Sequence, residues 1–248
     1  MATCANATIQ HWHVTSGKCL HVIRVDPDNH LYCLDYHPGG TQFAVSGKDR
    51  KVDVYDETTK SLLTSMDHGS ASNPGHSNRV YCVKYNPDNP NIILSGGWDQ
   101  TVQIWDTRVG VAVGSIFGPY VCGDAIDLDE SGVVLTGSYR PHECLQLWDL
   151  GTRKIIEKLD YEASKSALDS GFIYGAEFSR PYRNLIIAGG GGRNEAKVFD
   201  RKMDNRLVGA VVDMPKPAMG VSVKNKTTGF ALAGGDGQLR IINIDEIH

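Results

Sequence analysis

Short runs in which apolar and polar residues alternate recur along the whole chain, a pattern typical of half-buried β-strands. The clearest example is the stretch 93–108. Its first apolar run ends at a glycine pair, Trp98-Asp99-Gln100 predicts a tight turn, and the alternation resumes over 102–105. This stretch predicts two strands joined by a polar turn, and weaker copies of it follow elsewhere.

The copies have a regular spacing. Each has a bulky side chain near the end of one strand, and the next such residue lies roughly 40 to 50 positions further on. These residues are Trp12, Tyr55, Trp105, Trp148, Phe199 and Ile242. Each step holds about four strand signals, and four-stranded repeats at this period indicate the blades of a β-propeller. The predicted fold class is all-β, with about five to six blades of antiparallel strands.

We expect a single domain over residues 1–248. Its repeats are a partial one at 1–25, whole ones at 26–66, 67–117, 118–159 and 160–212, and a three-stranded one at 213–248. The first repeat has only two predicted strands, at 7–14 and 19–25. Both incomplete repeats contain a third-position strand and cannot complete one another. We therefore expect a seven-bladed parent ring that needs further N-terminal strands. The polar stretch 161–171 predicts a long loop with room for one helical turn.

Several repeats carry residue pairs that mark a known family. The pairs are Trp105-Asp106, Trp148-Asp149, Tyr55-Asp56, Phe199-Asp200 and, ahead of a strand, Gly75-His76. Over essentially its whole length the chain resembles the WD40-repeat β-propellers. The resemblance implies a platform for binding other proteins, without catalysis.

One repeat has all four side chains of the hydrogen-bonded tetrad that the resemblance implies, namely His76, Ser95, Asp99 and Trp105. A buried indole N–H and a buried imidazole both need partners, which Ser95 and Asp99 can provide. We interpret the four residues as structural. A catalytic Asp–His–Ser triad is disfavoured because Ser95 belongs to a buried strand.

Composition narrows the function classes. Hydrophobic residues make up 41% of the chain, as in ordinary globular proteins, and the net charge of −4 argues against nucleic acid as a partner. The apolar runs fall short of the roughly 18 residues of a membrane helix, so membrane insertion is not expected. The six cysteines contain no Cys-x-x-Cys pair and predict buried, reduced thiols. We expect a cytoplasmic protein, with cytoskeleton, cilium or nucleus left open.

Three sequence patterns resemble a phosphate-binding, a metal-binding or a catalytic site, and each has a simpler explanation. The glycine run 189–192 lacks the Lys-Ser/Thr of a phosphate loop and predicts a hairpin turn. His11 and His13 lack further ligands for a metal. Asp127 and Asp129 share a strand face without a third catalytic partner. We expect no catalytic residue, no metal, no cofactor and no small-molecule substrate.

The resemblance also indicates contact residues for a protein partner. In the family, the residue before the turn aspartate lies on the top face, which here implies Trp98 and Lys48. An exposed tryptophan is a frequent interface anchor, so Trp98 is the strongest candidate. Alternatively, its ring packs on the neighbouring blade. Further candidates on this face are Arg79, Tyr81, Tyr120, Tyr139, Arg140, Phe172 and Arg193.

The stretch 93–108 also matches the box shared by WD40 substrate receptors of cullin-RING ubiquitin ligases. Only Arg108 adds information beyond an ordinary blade. It follows a strand end on the bottom face, where it can pair with an acidic partner or remain solvated. Two functions are therefore expected. The first is a scaffold or assembly subunit of a multiprotein complex, for instance cytoskeletal or ciliary, and the alternative is a ligase substrate receptor using Arg108.

Overall fold

The computed structural model describes residues 1–69, 73–161, 171–180 and 183–244. These residues form six antiparallel sheets with three or four strands each, together with one 3-10 turn at Arg201–Met203. The chain divides into an N-terminal unit, Met1–Gly118, and a C-terminal unit, Pro119–His248, with three sheets in each. The predicted all-β class with propeller blades is confirmed.

The N-terminal unit contains blades 1 to 3. Blade 1 has the strands β1 (Ala2–Ala5), β2 (Thr8–His13) and β3 (Lys18–Arg24). Blade 2 has β4 (Leu31–Tyr36), β5 (Gln42–Gly47), β6 (Val52–Asp56) and β7 (Leu62–Met66). Blade 3 has β8 (Val80–Tyr85), β9 (Ile92–Gly97), β10 (Thr101–Asp106) and β11 (Val111–Phe117).

The C-terminal unit contains blades 4 to 6. Blade 4 has β12 (Ile126–Leu128), β13 (Val133–Gly137), β14 (Leu145–Asp149) and β15 (Ile155–Leu159). Blade 5 has β16 (Phe172–Phe178), β17 (Leu185–Gly191), β18 (Ala196–Asp200) and β19 (Arg206–Val211). Blade 6 has β20 (Ala218–Val223), β21 (Phe230–Gly234) and β22 (Leu239–Ile242). The first strand of each four-stranded blade, and β20 in blade 6, is called its inner strand.

The prediction of two strands in the first repeat was wrong. An additional strand, β1, pairs with β2 from Ala2 opposite His11 to Ala5 opposite Thr8. The indole N–H of Trp12 donates to Thr3 Oγ1 across this pair at 3.0 Å. The sequence pattern gives no sign of β1, because its four residues are small or polar and show no apolar alternation. The expectation of a seven-bladed parent ring stays a prediction.

The glycine run was also placed wrongly. Residues 189–191 belong to strand β17, and only Gly192, at φ +80°, begins the turn. Glycine is needed inside the strand because a Cβ at Gly190 would lie 2.2 Å from the carbonyl oxygen of Phe172. The predicted helical turn within 161–171 lies outside the described residues except at Tyr161 and Gly171.

Apolar side chains between neighbouring blades form the cores. In the N-terminal unit, Met66 of blade 2 packs in one cluster with Ile93 and Trp105 of blade 3. In the C-terminal unit, Leu159 of blade 4 shares a cluster with Phe199 of blade 5. All five side chains are buried, so each blade is stabilised mainly by the blade beside it.

An acidic residue at the penultimate position of an inner strand joins successive blades. Asp35 Oδ2 accepts the backbone N–H of Tyr85 at 2.8 Å. In the same way, Glu177 Oε2 accepts that of Val223 at 3.0 Å. Because such a hydrogen bond has an ionised acceptor, it is stronger than one between neutral groups. These contacts fix the innermost part of one blade against the next.

Candidate functional site

The tetrad residues come together in blade 3. His76 lies in the segment before β8, Ser95 on β9, Asp99 in the β9–β10 turn and Trp105 on β10. The Trp105 indole N–H donates to Ser95 Oγ at 2.7 Å, and His76 Nε2 lies 2.7 Å from the same oxygen. His76 Nδ1 lies 2.7 Å from Asp99 Oδ2. With one hydroxyl proton available, Ser95 donates to His76 and His76 donates to Asp99.

The Asp99 end of this network carries a negative charge. Burial alone raises the pKa of Asp99, but hydrogen bonds from His76, the Ser77 N–H and Thr101 outweigh it and lower the pKa overall. Ser95 is fully buried, so its oxygen is unavailable to a substrate. The arrangement ties a loop, a turn and two strands together.

Blade 4 carries a shorter version of the network. The Trp148 indole N–H donates to Thr136 Oγ1 at 2.9 Å, and both residues are buried. The turn after β13 supplies no aspartate, because residues 139–142 read Tyr-Arg-Pro-His. Only the link between the second and third strands is therefore retained in this blade.

A β-bulge recurs where the inner strands begin. In blade 2, Leu31 lies opposite Gly47 and Cys33 opposite Ser46, which leaves Tyr32 without an opposite residue. The same register shift leaves three further residues unopposed, namely Tyr81, Tyr174 and Met219. A bulge changes the direction in which the side chain of the extra residue points. These four residues all lie near the start of an inner strand, and we call this end of each blade the entry end.

Glycines on the second strand make this geometry possible. A Cβ at Gly47 would lie 2.2 Å from the carbonyl oxygen of His30, and a Cβ at Gly97 would lie 2.1 Å from that of Arg79. No side chain fits at such distances. The close approach also allows the N–H of the next residue, Lys48 or Trp98, to bond the same oxygen.

Four side chains of blades 2 and 3 form an aromatic stack at the entry end. The rings of Tyr32 and Tyr81 are stacked, with centroids 4.8 Å apart and 14° between the planes. Trp98 contacts Tyr81 at 5.2 Å, and the Arg79 guanidinium lies over the Trp98 ring at 5.9 Å. A hydrogen bond to the Tyr81 hydroxyl raises the pKa of Arg79. We call Tyr32, Tyr81, Trp98 and Arg79 the tyrosine–tryptophan stack.

Trp98 is half-buried, and its ring contacts Tyr81 of its own blade. Its role as a contact residue for a partner stays a prediction. The link to the neighbouring blade is made by Tyr81 through Tyr32, a residue that the sequence did not single out. Lys48, in the position equivalent to Trp98 in blade 2, is exposed.

A second aromatic cluster lies at the entry end in the C-terminal unit. The Tyr139 ring lies 4.7 Å from Phe172, 5.6 Å from Tyr174 and 6.5 Å from Tyr120. Burial and then the neighbouring Tyr139 raise the pKa of Tyr174 to about 12. Tyr120, Tyr139 and Phe172 were predicted together, and the bulge residue Tyr174 was missed.

The two remaining arginine candidates of this unit differ in their contacts. The Arg140 guanidinium donates twice to the carbonyl oxygen of Glu143, at 3.1 and 2.6 Å, which holds it over its own turn. Arg193 is exposed in the turn after β17. Arg140 therefore stabilises local structure as the chain stands.

Arg108 lies at the opposite end of blade 3. Its Nε and Nη2 donate to the two carboxylate oxygens of Asp106 at 3.0 and 2.6 Å. The side chain is 64% exposed. It lines a groove of about 260 Å³ together with Leu63, Pro90 and Thr107. The sequence-based view left an acidic partner or solvent for Arg108, whereas the structure gives it an acidic neighbour within its own turn.

The other chemical candidates have structural contacts. His11 Nε2 lies 3.3 Å from Glu57 Oε2, and His13 Nδ1 lies 2.8 Å from Ser16 Oγ. Arg201 pairs with Asp129 at 2.8 Å. Among the described residues, no group of three or more His, Cys, Asp or Glu side chains is arranged to hold a metal ion.

None of the six cysteines is in a disulfide. Cys33, Cys82 and Cys144 are buried as predicted, whereas Cys19 on β3 is exposed. The prediction of buried thiols was therefore wrong for Cys19, because the outer strand of blade 1 is solvent-accessible along most of its length. Within the described ranges, no helix has the length and apolar character needed to cross a membrane.

Comparison with known proteins supports the repeat assignment. The model of the WD domain, G-beta repeat, matches residues 17–56 and 70–106. The chain is 26% identical over 150 residues to the WD repeat-containing protein 89 homolog of Dictyostelium discoideum, covering 58% of this chain and 36% of that protein. It is 30% identical over 106 residues to the methylosome protein WDR77 of Xenopus laevis, covering 42% and 30%.

A further relative is the actin-interacting protein 1 of Drosophila melanogaster, 28% identical over 102 residues, covering 41% of this chain and 15% of that protein. The matched region thus spans well under half of each of these three relatives. The matched repeats, the tetrad of blade 3 and the antiparallel blades agree with one another. Residues 17–56 and 70–106 are WD40 repeats, and the chain resembles the WD40-repeat β-propeller proteins.

Proposed function

We propose that the protein is a non-catalytic scaffold that binds other proteins as a subunit of a multiprotein complex. The observation that carries the proposal is the tyrosine–tryptophan stack. Tyrosine, tryptophan and arginine are the residues enriched at the energetically dominant positions of protein interfaces. In this chain the bulges of β4 and β8 place the rings of Tyr32 and Tyr81 side by side.

The surroundings of the stack support a binding role. Tyr32 remains 37% exposed and Arg79 is exposed, although Trp98 is half-buried beneath the guanidinium. The rings are held by contacts with one another, so little side-chain entropy is lost when a partner docks. A preorganised aromatic surface of this kind suits a protein ligand, and we expect the candidates Lys48 and Tyr81 to contact the same partner.

The names of two relatives indicate the kind of assembly that we propose for this chain. One is a methylosome protein and another an actin-interacting protein. Scaffolding inside a larger assembly, cytoskeletal for instance, is the role we propose for this chain, together with a cytoplasmic location. The cluster of Tyr120, Tyr139 and Phe172 is proposed as a second contact area, together with Arg140, which follows Tyr139, and Arg193 in the turn after β17.

A second candidate function is substrate receptor of a cullin-RING ubiquitin ligase. The exposure of Arg108 at the end of β10 favours it. However, Asp106 already occupies two of the guanidinium donors, so an acidic partner must compete with an internal ion pair. The scaffold function does not require this competition and is the one we prefer.

The test is affinity purification of the full chain from cells with cross-linking of bound proteins. Trp98→Ala, Arg108→Ala and a control, Val14→Ala, are compared with the wild type; Val14 is 71% exposed. The scaffold proposal expects discrete partners that cross-link near the stack and are reduced several-fold by Trp98→Ala alone. Recovery of a ligase adaptor that disappears in Arg108→Ala establishes the second function instead. An unchanged partner list in Trp98→Ala overturns the role of the stack.

A further inference from the structure

One exposed cation belongs to the tyrosine–tryptophan stack, and two more lie in the β5–β6 turn of blade 2. Arg79 belongs to the stack, and Lys48 follows Gly47, whose backbone lies against that of His30 beside Tyr32. Arg50 is exposed two residues further on. Within the described part of the chain, none of these three cations is in an ion pair with a carboxylate. This local excess of positive charge stands in a chain whose net charge is −4.

The two aspartates of the same turns are less accessible than these cations. Asp99 is held by His76, and its side chain is 3% exposed. Asp49 accepts the backbone N–H of Lys51 at 3.3 Å. Burial raises the pKa of Asp49, which makes its charged form less favourable than in water. The most exposed charged groups here are therefore the cations.

The ring faces within the stack are already occupied. Tyr32 and Tyr81 cover one another, Trp98 tilts against Tyr81, and the Arg79 guanidinium covers Trp98. Tyr32, which is 37% exposed, and the cations remain accessible. Ring edges carry positive partial charge and guanidinium groups bind carboxylates, so both favour acidic groups.

We propose that the partner bound at this surface is an acidic extended peptide segment, in which Asp or Glu side chains meet Lys48 and Arg79 and an apolar side chain packs against the rings of Tyr32 and Tyr81. The proposal rests on the protein-binding function of the stack and specifies the chemistry of its partner. The cations favour a partner with negative charge, and the ring edges provide apolar contact area.

Single-stranded nucleic acid is the other polyanion that aromatic and basic residues bind. It is recognised mainly by bases stacking on open aromatic faces along a continuous basic groove. Here the faces inside the stack are covered by other side chains, and the cations number three around one patch. These features favour carboxylates on a peptide over a phosphate backbone.

The first experiment selects ligands for the immobilised full chain from a display library of random peptides of about twelve residues. We expect the recovered peptides to be enriched in Asp and Glu and to contain a large apolar residue. Raising salt from about 0.05 M to about 0.5 M is expected to weaken binding several-fold, because exposed charges are screened. Recovered peptides without acidic enrichment overturn the proposal.

The second experiment measures affinity for one selected acidic peptide. The double variant Lys48→Glu/Arg79→Glu is expected to bind at least about tenfold more weakly, because two favourable charge pairs become repulsive. The matched control is Lys18→Glu/Arg24→Glu on the exposed strand β3, which has the same change in net charge. Equal weakening in both double variants overturns the proposal, since the effect then follows from net charge alone.

The outcomes separate this proposal from the proposed function. If cellular partners are lost in Trp98→Ala but retained in Lys48→Glu/Arg79→Glu, the stack binds proteins and the acidic preference is wrong. If an oligothymidylate of about fifteen nucleotides competes with the peptide at equal concentration, a nucleic-acid partner replaces the acidic peptide. Thermal unfolding of every variant shows whether lost binding reflects lost structure.

Discussion

Asp127 in blade 4 accepts the backbone N–H of Phe178, the last residue of the inner strand of blade 5, through Oδ2 at 2.9 Å. Fifty-one positions separate the two residues, and both are buried. The same carboxylate oxygen lies 3.5 Å from Arg183 Nη1. The pair that the sequence offered as a catalytic candidate, Asp127 with Asp129, is therefore engaged in holding blades together.

Asp127→Ala is expected to lower the free energy of unfolding by about 3 kcal/mol, because the buried amide of Phe178 loses its acceptor. The mostly buried Arg183 guanidinium also loses its carboxylate partner and keeps the Leu128 carbonyl oxygen as its acceptor. Urea denaturation followed by tryptophan fluorescence measures the change. Asp88→Ala, at an exposed carboxylate, is the control and should alter stability by less than about 0.5 kcal/mol. Similar midpoints for the two variants would contradict the structural role of Asp127.

Ser95→Ala is expected to cost more stability than Thr136→Val. Ser95 serves two partners, the Trp105 indole and the His76 imidazole, whereas Thr136 serves only the Trp148 indole. We expect a loss of about 2–4 kcal/mol for the first substitution and about 1–2 kcal/mol for the second. Denaturant midpoints of the two variants, compared with wild type, give the order, and the reverse order would exclude a two-partner role for Ser95.

Gly97→Ala is expected to destabilise blade 3 by about 2 kcal/mol or more, because the new Cβ would lie 2.1 Å from the Arg79 carbonyl oxygen and the backbone must move. The displaced bulge should also weaken partner binding through Tyr81. Gly209→Ala is the matched strand control, since its Cβ meets only Val198 Cβ, at 3.9 Å. Melting temperature and peptide affinity are measured for both, and a Gly97 variant that behaves like the control would show that the close approach is dispensable.

Stability is expected to fall as the pH is lowered from about 7 to about 5, in part through His11. Burial, followed by the charge of Lys60, lowers the pKa of His11 in spite of the opposing effect of Glu57. The unfolded chain therefore takes up a proton near pH 6.5 while the folded chain does not, and stability declines until the folded-state pKa is reached. His11→Gln should flatten this part of the stability profile, measured by urea titration at several pH values. Val14→Ala, at a residue that is 71% exposed and has no titratable group, is the control and should leave the slope unchanged.

Much of the fold was predictable because a strand with one buried face has a period of two that is visible in the sequence. Strands such as β4, β8, β10 and β18 begin and end where the alternation predicts. The strand β1 was not predictable in this way, because Ala2–Ala5 has no bulky apolar residue. Its existence depends on pairing with β2, a property of two segments and not of one.

The candidate surface was predictable only in part. The spacing of His76, Ser95, Asp99 and Trp105 suffices to foresee a network, because each side chain has one obvious partner. The bulge at Tyr32 gives no such signal, since Leu31-Tyr32-Cys33 looks like a continuous apolar run. The bulge can be recognised only from Gly47 at the end of β5. Its backbone lies close to the carbonyl group of His30, and this close approach shows that β4 has an extra residue opposite it.

The recurring bulge places one residue of the inner strand outside the pairing that forms the blade. Tyr32, Tyr81, Tyr174 and Met219 stand outside the ladder pairing of their strands, so the hydrogen bonds that build each sheet do not depend on their side chains. Natural selection or a protein engineer can exchange these positions while the core sequence stays fixed. One position in each of these four blades can therefore take a different side chain, and with it a different binding specificity, while the strand pairing is kept.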